Sequence, residues 1–147
     1  MFVVDTNVLV FAANRDAPEH ERCRRLLQEW RRSEGAWYLT WGIAYEFLRL
    51  VTHPRVLERP LTSAEALSFL KALLASPGLR ILRPTDRHAA LLEEVSHQVP
   101  LLAGNLFHDA HTATLMLEHG IRRIVTRDMD FHRFPFLETV DPLAPGS

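Results

Sequence analysis

The run Phe2–Phe11, FVVDTNVLVF, sets the frame for the whole chain. Its β-branched and aromatic start (Phe2, Val3, Val4) reads as a buried strand that stops at Asp5-Thr6-Asn7. A second apolar run, Val8–Ala13, follows at once with the length and composition of a helix. Asp5 therefore stands at the carboxyl end of a first strand, where open α/β sheets place their ligand sites. Thr6 and Asn7 are good caps for the following helix. On this stretch alone Asp5 has two roles open to it, a helix cap or part of a chemical site.

The rest of the chain repeats the alternation. Glu19–Ser33 reads as an amphipathic helix with Cys23, Leu26, Leu27 and Trp30 as its apolar stripe. Arg22, Arg24, Arg25, Arg31 and Arg32 decorate the rest of it. Ala36–Thr40 is a second strand, and Trp41–Thr52 a mostly apolar helix interrupted by Glu46 and Arg49. Thr62 or Ser63 caps a helix over Ala64–Ala75, whose Leu67, Phe69, Leu70 and Leu74 are expected in the core. Leu79–Leu82 reads as a short strand, and Pro84-Thr85-Asp86 opens a helix to about Val99. Pro100–Asn105 is a loop, His108–His119 a helix, Ile121–Thr126 a strand, and Phe134–Val140 a last edge strand or turn. The pattern predicts an α/β fold with a mainly parallel sheet and crossover helices, as one domain over residues 1–143. A loose tail, residues 144–147, follows.

Composition narrows the functional classes. The 147 residues are 47% hydrophobic and 24% charged, as expected of a globular domain. No apolar run is long enough to cross a bilayer and no charged leader precedes the first strand, so a cytoplasmic protein with no membrane contact is expected. Cys23 is alone, which leaves it a packing role. The net charge of −1 hides an asymmetry. Setting aside Asp5, Glu46, Asp109, Asp128 and Asp130 leaves 13 acids against 17 bases, nearly all of them Arg, whose forked guanidinium suits phosphate.

Those five acids carry the chemistry. Asp128 and Asp130 leave the strand Ile121–Thr126 at the end of the sheet where Asp5 leaves the first. Asp109 opens the helix before that strand, ordinarily the far end of the sheet unless the preceding loop carries the chain back over the top. Glu46 shares a face with Ile43 and Leu50 that reads as buried, so its carboxylate needs a partner: Arg49, three residues on, or a metal. Carboxylates brought together repel unless protonated or neutralised by cations. All-oxygen ligation suits Mg²⁺ or Mn²⁺ rather than zinc, and such ions serve phosphodiester hydrolysis.

Four segments in order then resemble the PIN-domain ribonucleases, and most closely the VapC-type toxins of bacterial toxin–antitoxin systems. They are VVDTNVLV at Val3–Val10, the Glu46 helix ending in FLRLVTHPRV, GNLFHDAH at Gly104–His111, and TRDMDF at Thr126–Phe131. The resemblance implies a three-layer α/β/α sandwich that brings Asp109 to the cluster. It implies that Asp5, Glu46, Asp109 and Asp128 are the metal-binding and catalytic acids, with Asp130 auxiliary, and the sequence does not rank Asp128 against Asp130. It further implies endonucleolytic RNA cleavage with Mg²⁺ or Mn²⁺, a homodimer, and a cognate antitoxin. Thr6, Asn7 and Thr126 would then support the ligand carboxylates or phosphate, and Arg49, Arg127 and the Arg22–Arg32 face would be RNA contacts. Trp37, Tyr38 and Trp41 have three roles open: base stacking, a dimer seam, or core.

Other chemistries fit less well. A HAD-type phosphatase needs an acid where Asn7 stands and a lysine in the site, whereas Lys71 falls in a helix read as core. An HD-type phosphohydrolase would use His108-Asp109 but is all-helical; His111 then reads as helix-surface or substrate-facing. A PIN-like scaffold that binds RNA or protein without cutting is the remaining alternative, since fold alone does not guarantee activity.

Overall fold

A computed structural model describes residues 1–146. Its sheet has five strands, β1 (Val3–Val4), β2 (Trp37–Thr40), β3 (Leu79–Leu82), β4 (Arg123–Val125) and β5 (Glu138–Val140). They lie in the order β3-β2-β1-β4-β5, and every pairing is parallel. The register sets Val3 against both Tyr38 and Ile124. The helices are α1 (Thr6–Ala13), α2 (His20–Arg32), α3 (Trp41–Val51), α4 (Ser63–Leu74), α5 (His88–Gln98) and α6 (Leu106–Glu118). From β1 the chain winds one way through β2 to β3, then crosses back to β4 on the other side. Right-handed crossovers in opposite directions put helices on both faces, which gives the three-layer α/β/α sandwich.

The sheet is short but fully apolar at its centre: Val3, Val4, Leu39 and Ile124 are all buried. Against it pack Leu9 from α1, Phe47 from α3, and Ala113 and Met116 from α6. Cys23 is buried in this core, and burial pushes its thiol up to about 11, consistent with packing. On α4 the buried stripe is Ala66, Leu70 and Leu73, whereas Leu67 and Leu74, expected inside, are exposed. They flank the stripe by one residue each, a displacement that a leucine-rich helix does not reveal by composition. Lys71 is likewise exposed. Thr62 caps α4 in a full capping box with Glu65.

α5 and α6 run antiparallel. Thr85 and His88, at the start of α5, are bonded to Glu118 at the end of α6. The chain thus climbs back along α5 before α6 begins, and this hairpin delivers Asp109 to the carboxyl ends of the strands. After β5, Pro142 is buried and its carbonyl oxygen accepts from Arg22 Nε at 3.1 Å. Ser147 lies outside the described residues. No helix among the described residues is long and apolar enough to cross a membrane.

One close approach holds the β2 and β3 entries together. A Cβ on Gly78 would lie 2.2 Å from the Gly35 carbonyl oxygen. Gly78→Ala must therefore push two backbone segments apart, and we expect about 1–3 kcal/mol of lost stability in urea unfolding. An unchanged midpoint would show that these turns move freely.

Candidate active site

The site begins with a hydrogen-bond lock. Asp5, not Thr6 or Asn7, is the N-cap of α1: its Oδ1 accepts from Thr6 N at 2.7 Å. Its Oδ2 accepts from Asn7 Nδ2 at 2.9 Å and from the Thr126 hydroxyl at 2.7 Å. The Thr126 oxygen in turn accepts from Asn7 Nδ2 at 3.1 Å and from Asp128 N at 2.9 Å. The Asn7 carbonyl closes the circuit by accepting from Arg127 N at 3.2 Å. The turn after β1 and the turn after β4 are therefore one unit, at the point where the strand order reverses.

Asp128 caps the short 3₁₀ turn Met129–Arg133, accepting from Asp130 N at 2.9 Å. Asp109, in the first turn of α6, is half-buried and has no hydrogen-bond or ion-pair partner among the described residues. One carboxylate oxygen from each of Asp109, Asp128 and Asp130 falls within 4.8 Å of the others. Asp130 thus belongs to the tightest group, together with Asp128.

Glu46 differs from its expected setting. It lies on the wall of the same pocket as Asp5 and Asp109. Its side chain is 39% exposed, however, and Arg49 Nη2 stands 3.5 Å from it. The helical face that carries Ile43 into the core leaves Glu46 at the rim, with Arg49 as its partner.

Electrostatics registers the convergence. Burial, partly offset by the hydrogen bonds from Thr126 and Thr6, pushes Asp5 up to about 6. Burial, then the charges of Asp128, Asp5, Asp130 and Glu46, pushes Asp109 up to about 7. Asp109 is the group on which all four of the other carboxylates act, as expected where acids converge. The rest of the pocket wall includes Gly42, His108, His111 and Thr112. Burial, then the nearby imidazoles of His88 and His108, lowers His111 below the ordinary histidine range.

Of the proposed RNA contacts, Arg49 sits at the rim. Arg127 reaches Glu19 and Asp141, each at 3.4 Å. The aromatic trio splits: Trp37 is core, Tyr38 partly buried, and Trp41 exposed on α3. Gly42, the second residue of α3, also lines the pocket, and an isolated glycine in an apolar helix is the one sequence signal that points to it.

A doubly wound α/β domain with carboxylates converging at its switch point is the class that fold and site define. The PIN domain model matches residues 2–137, and the chain belongs to this family. It is 33% identical over 140 residues to ribonuclease VapC48 of Mycobacterium tuberculosis, covering 95% of this chain and 96% of that protein. Among solved structures it resembles Mycobacterium tuberculosis VapC20, described as a sarcin-ricin loop cleaving toxin (TM-score 0.66, 17% identity, 90% and 93% of the two chains). It also resembles a chain of VapBC2 from Rickettsia felis, solved bound to a promoter DNA fragment (TM-score 0.65, 18% identity, 95% and 96%). At such identities these two structures speak for the fold.

Because the folded-state values of Asp5 and Asp109 lie above their ordinary 3.8, the metal-free protein holds these protons more tightly than the unfolded chain. Stability should be highest below about pH 4 for these groups and fall as the pH rises through about 6 to 7. Asp109→Asn should therefore raise the thermal midpoint of metal-free protein at pH 8, with the gain vanishing towards pH 4. A gain independent of pH would contradict the cluster's electrostatics.

Proposed function

We propose that this chain is a metal-dependent endoribonuclease, the toxin of a toxin–antitoxin pair, which hydrolyses RNA phosphodiester bonds at the acidic centre. The observation that carries this is the meeting of Asp109, Asp128 and Asp130 within 4.8 Å, beside a locked and buried Asp5. The donor set fits a hard cation. It is made of carboxylate oxygens alone, and its least partnered member, Asp109, is raised to about 7, first by burial and then by the neighbouring carboxylates. Asp109, Asp128 and Asp130 would hold Mg²⁺ or Mn²⁺, with Asp5 and Glu46 on the same pocket. When bound, the ion supplies an acidified, oriented water and neutralises charge on the phosphoryl group.

The chain's own residues supply the order. Thr6, Asn7 and Thr126 fix Asp5 in one orientation, and Asp128 N, bonded to Thr126, fixes the turn that presents Asp128 and Asp130. Asp5 is thus the invariant wall of the centre, while Asp130 and Glu46 are free to adjust. Arg49 and Arg127 stand at the rim in exposed ion pairs worth little in water, which a phosphate can replace. The ribonuclease names of relatives such as VapC48 support the substrate class. The VapBC2 assembly supports an antitoxin partner, and a homodimer in the cytoplasm completes the reading.

The test is cleavage of a structured RNA pool with Mg²⁺, with Mn²⁺ and with EDTA. Asp5→Asn and Asp109→Asn should each lower the rate by at least about a hundredfold in folded protein, as losses of this kind do at charge-stabilising positions. Glu46→Gln should cost less, because its carboxylate is already shared with Arg49. Cleavage that persists in EDTA or in both Asp variants would defeat the assignment and favour a binding scaffold.

A further inference from the structure

The pocket wall holds a polar group that the acidic centre does not use. His111 lies two residues beyond Asp109 on α6, half-buried, and makes no hydrogen bond among the described residues. Its ring rests on bare backbone: a Cβ on Gly42 would lie 3.0 Å from His111 Nδ1 and 3.2 Å from Cε1. Behind it stands His88, edge-on with ring centroids 6.0 Å apart. His88 Nδ1 is bonded to Glu118, whose side chain is fully buried. Glu118 also accepts from Thr85 N at 2.6 Å and from the Thr85 hydroxyl at 2.7 Å. The imidazole is therefore held from two sides, by Gly42 of α3 and by a hydrogen-bonded His88–Glu118 pair joining α5 to α6.

His111 shares the pocket wall with Asp5, Glu46 and Asp109, and an oriented imidazole there that makes no hydrogen bond among the described residues is placed to meet a phosphate. A phosphodiester brought to this centre carries its non-bridging oxygens into a wall of acids, where a neutral or cationic donor is what the chain must provide. Arg49 and Arg127, in their exposed ion pairs, do not line this pocket. His108, the other imidazole on the wall, is exposed and has no comparable support.

Resting on the nuclease reading above, we propose that His111 is a substrate-contacting residue that donates a hydrogen bond to a phosphate oxygen of the RNA strand. Gly42, His88 and Glu118 are the positioning residues that hold its ring there. Gly42 is needed for the space it leaves, and His88 for the contact that stops the ring from turning away.

Steady-state cleavage of the RNA pool in Mg²⁺ tests this, with Mn²⁺ affinity and circular dichroism measured on every variant. His111→Phe keeps a ring and removes the donor; it should lower kcat/KM by about tenfold or more, the usual cost of a hydrogen bond to a charged group. Its Mn²⁺ affinity should stay within about twofold of wild type, and His111→Gln should recover most of the loss. His88→Ala and Gly42→Ala should each lower kcat/KM on their own, yet add nothing to His111→Phe in the double variants. Three results would overturn the proposal while leaving the nuclease intact: wild-type kcat/KM in His111→Phe, a parallel loss of Mn²⁺ binding, or losses that multiply in the double variants. A folded wild type that cuts no RNA would defeat the nuclease reading, and this proposal with it.

Discussion

Burying a carboxylate at the end of a hydrophobic strand costs several kcal/mol unless hydrogen bonds replace the lost water. Asp5 meets this cost with three donors: a backbone amide, a side-chain amide and a hydroxyl. The hydroxyl matters most for architecture, because Thr126 comes from the far side of the sequence and holds the Asp128 amide as well. A single oxygen atom thus fixes the β1 turn against the β4 turn. The parallel pairing of Val4 with Val125 immediately below aligns the two strands so that this contact can form. The requirement to satisfy one buried charge is what makes the switch point of the sheet a defined site.

From that lock outward, the acids are held less and less firmly. Asp128 is fixed by capping a 3₁₀ turn, Asp130 follows its backbone, and Glu46 leans on an exposed arginine. Asp109 is the exception, half-buried yet with no side-chain partner among the described residues. Burial, and then the charges of the other four acids, push its carboxyl up to about 7. A protein that needed only a stable helix start would have paired or exposed this group. Its isolation makes sense if a cation completes the set, because such a site must be unsatisfied by protein alone.

Short-range chemistry was readable from the residues. The strand–turn–helix at Phe2–Phe11, the capping pattern at Thr62–Glu65, and the four acid-bearing segments all depend on neighbours within a few positions. Contacts closed by the fold were not readable. The Thr126–Asp5 bond spans 121 positions and the Thr85–Glu118 bond spans 33. The antiparallel return along α5, which carries Asp109 to the right end of the sheet, follows from packing of two helices that each look unremarkable in sequence. Glu46 shows the limit of periodicity: sharing a face with Ile43 gave it a buried neighbour but not its own burial, since α3 turns that edge to the rim.

The distribution of charge also explains how a polyanion could reach an acidic centre. The five acids are confined to one end of the sheet, while the arginines sit outside it in weak exposed pairs such as Arg127 with Glu19 and Asp141. Exposed pairs of this kind contribute about 0–1 kcal/mol, less than a guanidinium gains from a phosphate that releases its counterions. On the proposed reading, a phosphate would replace a carboxylate at the rim at little cost, without unfolding anything. Repulsion at the centre remains until a cation is present. On the proposed nuclease reading, rim and centre would divide the work: the arginines would set how strongly a strand is gathered, and the carboxylates whether it can be seated.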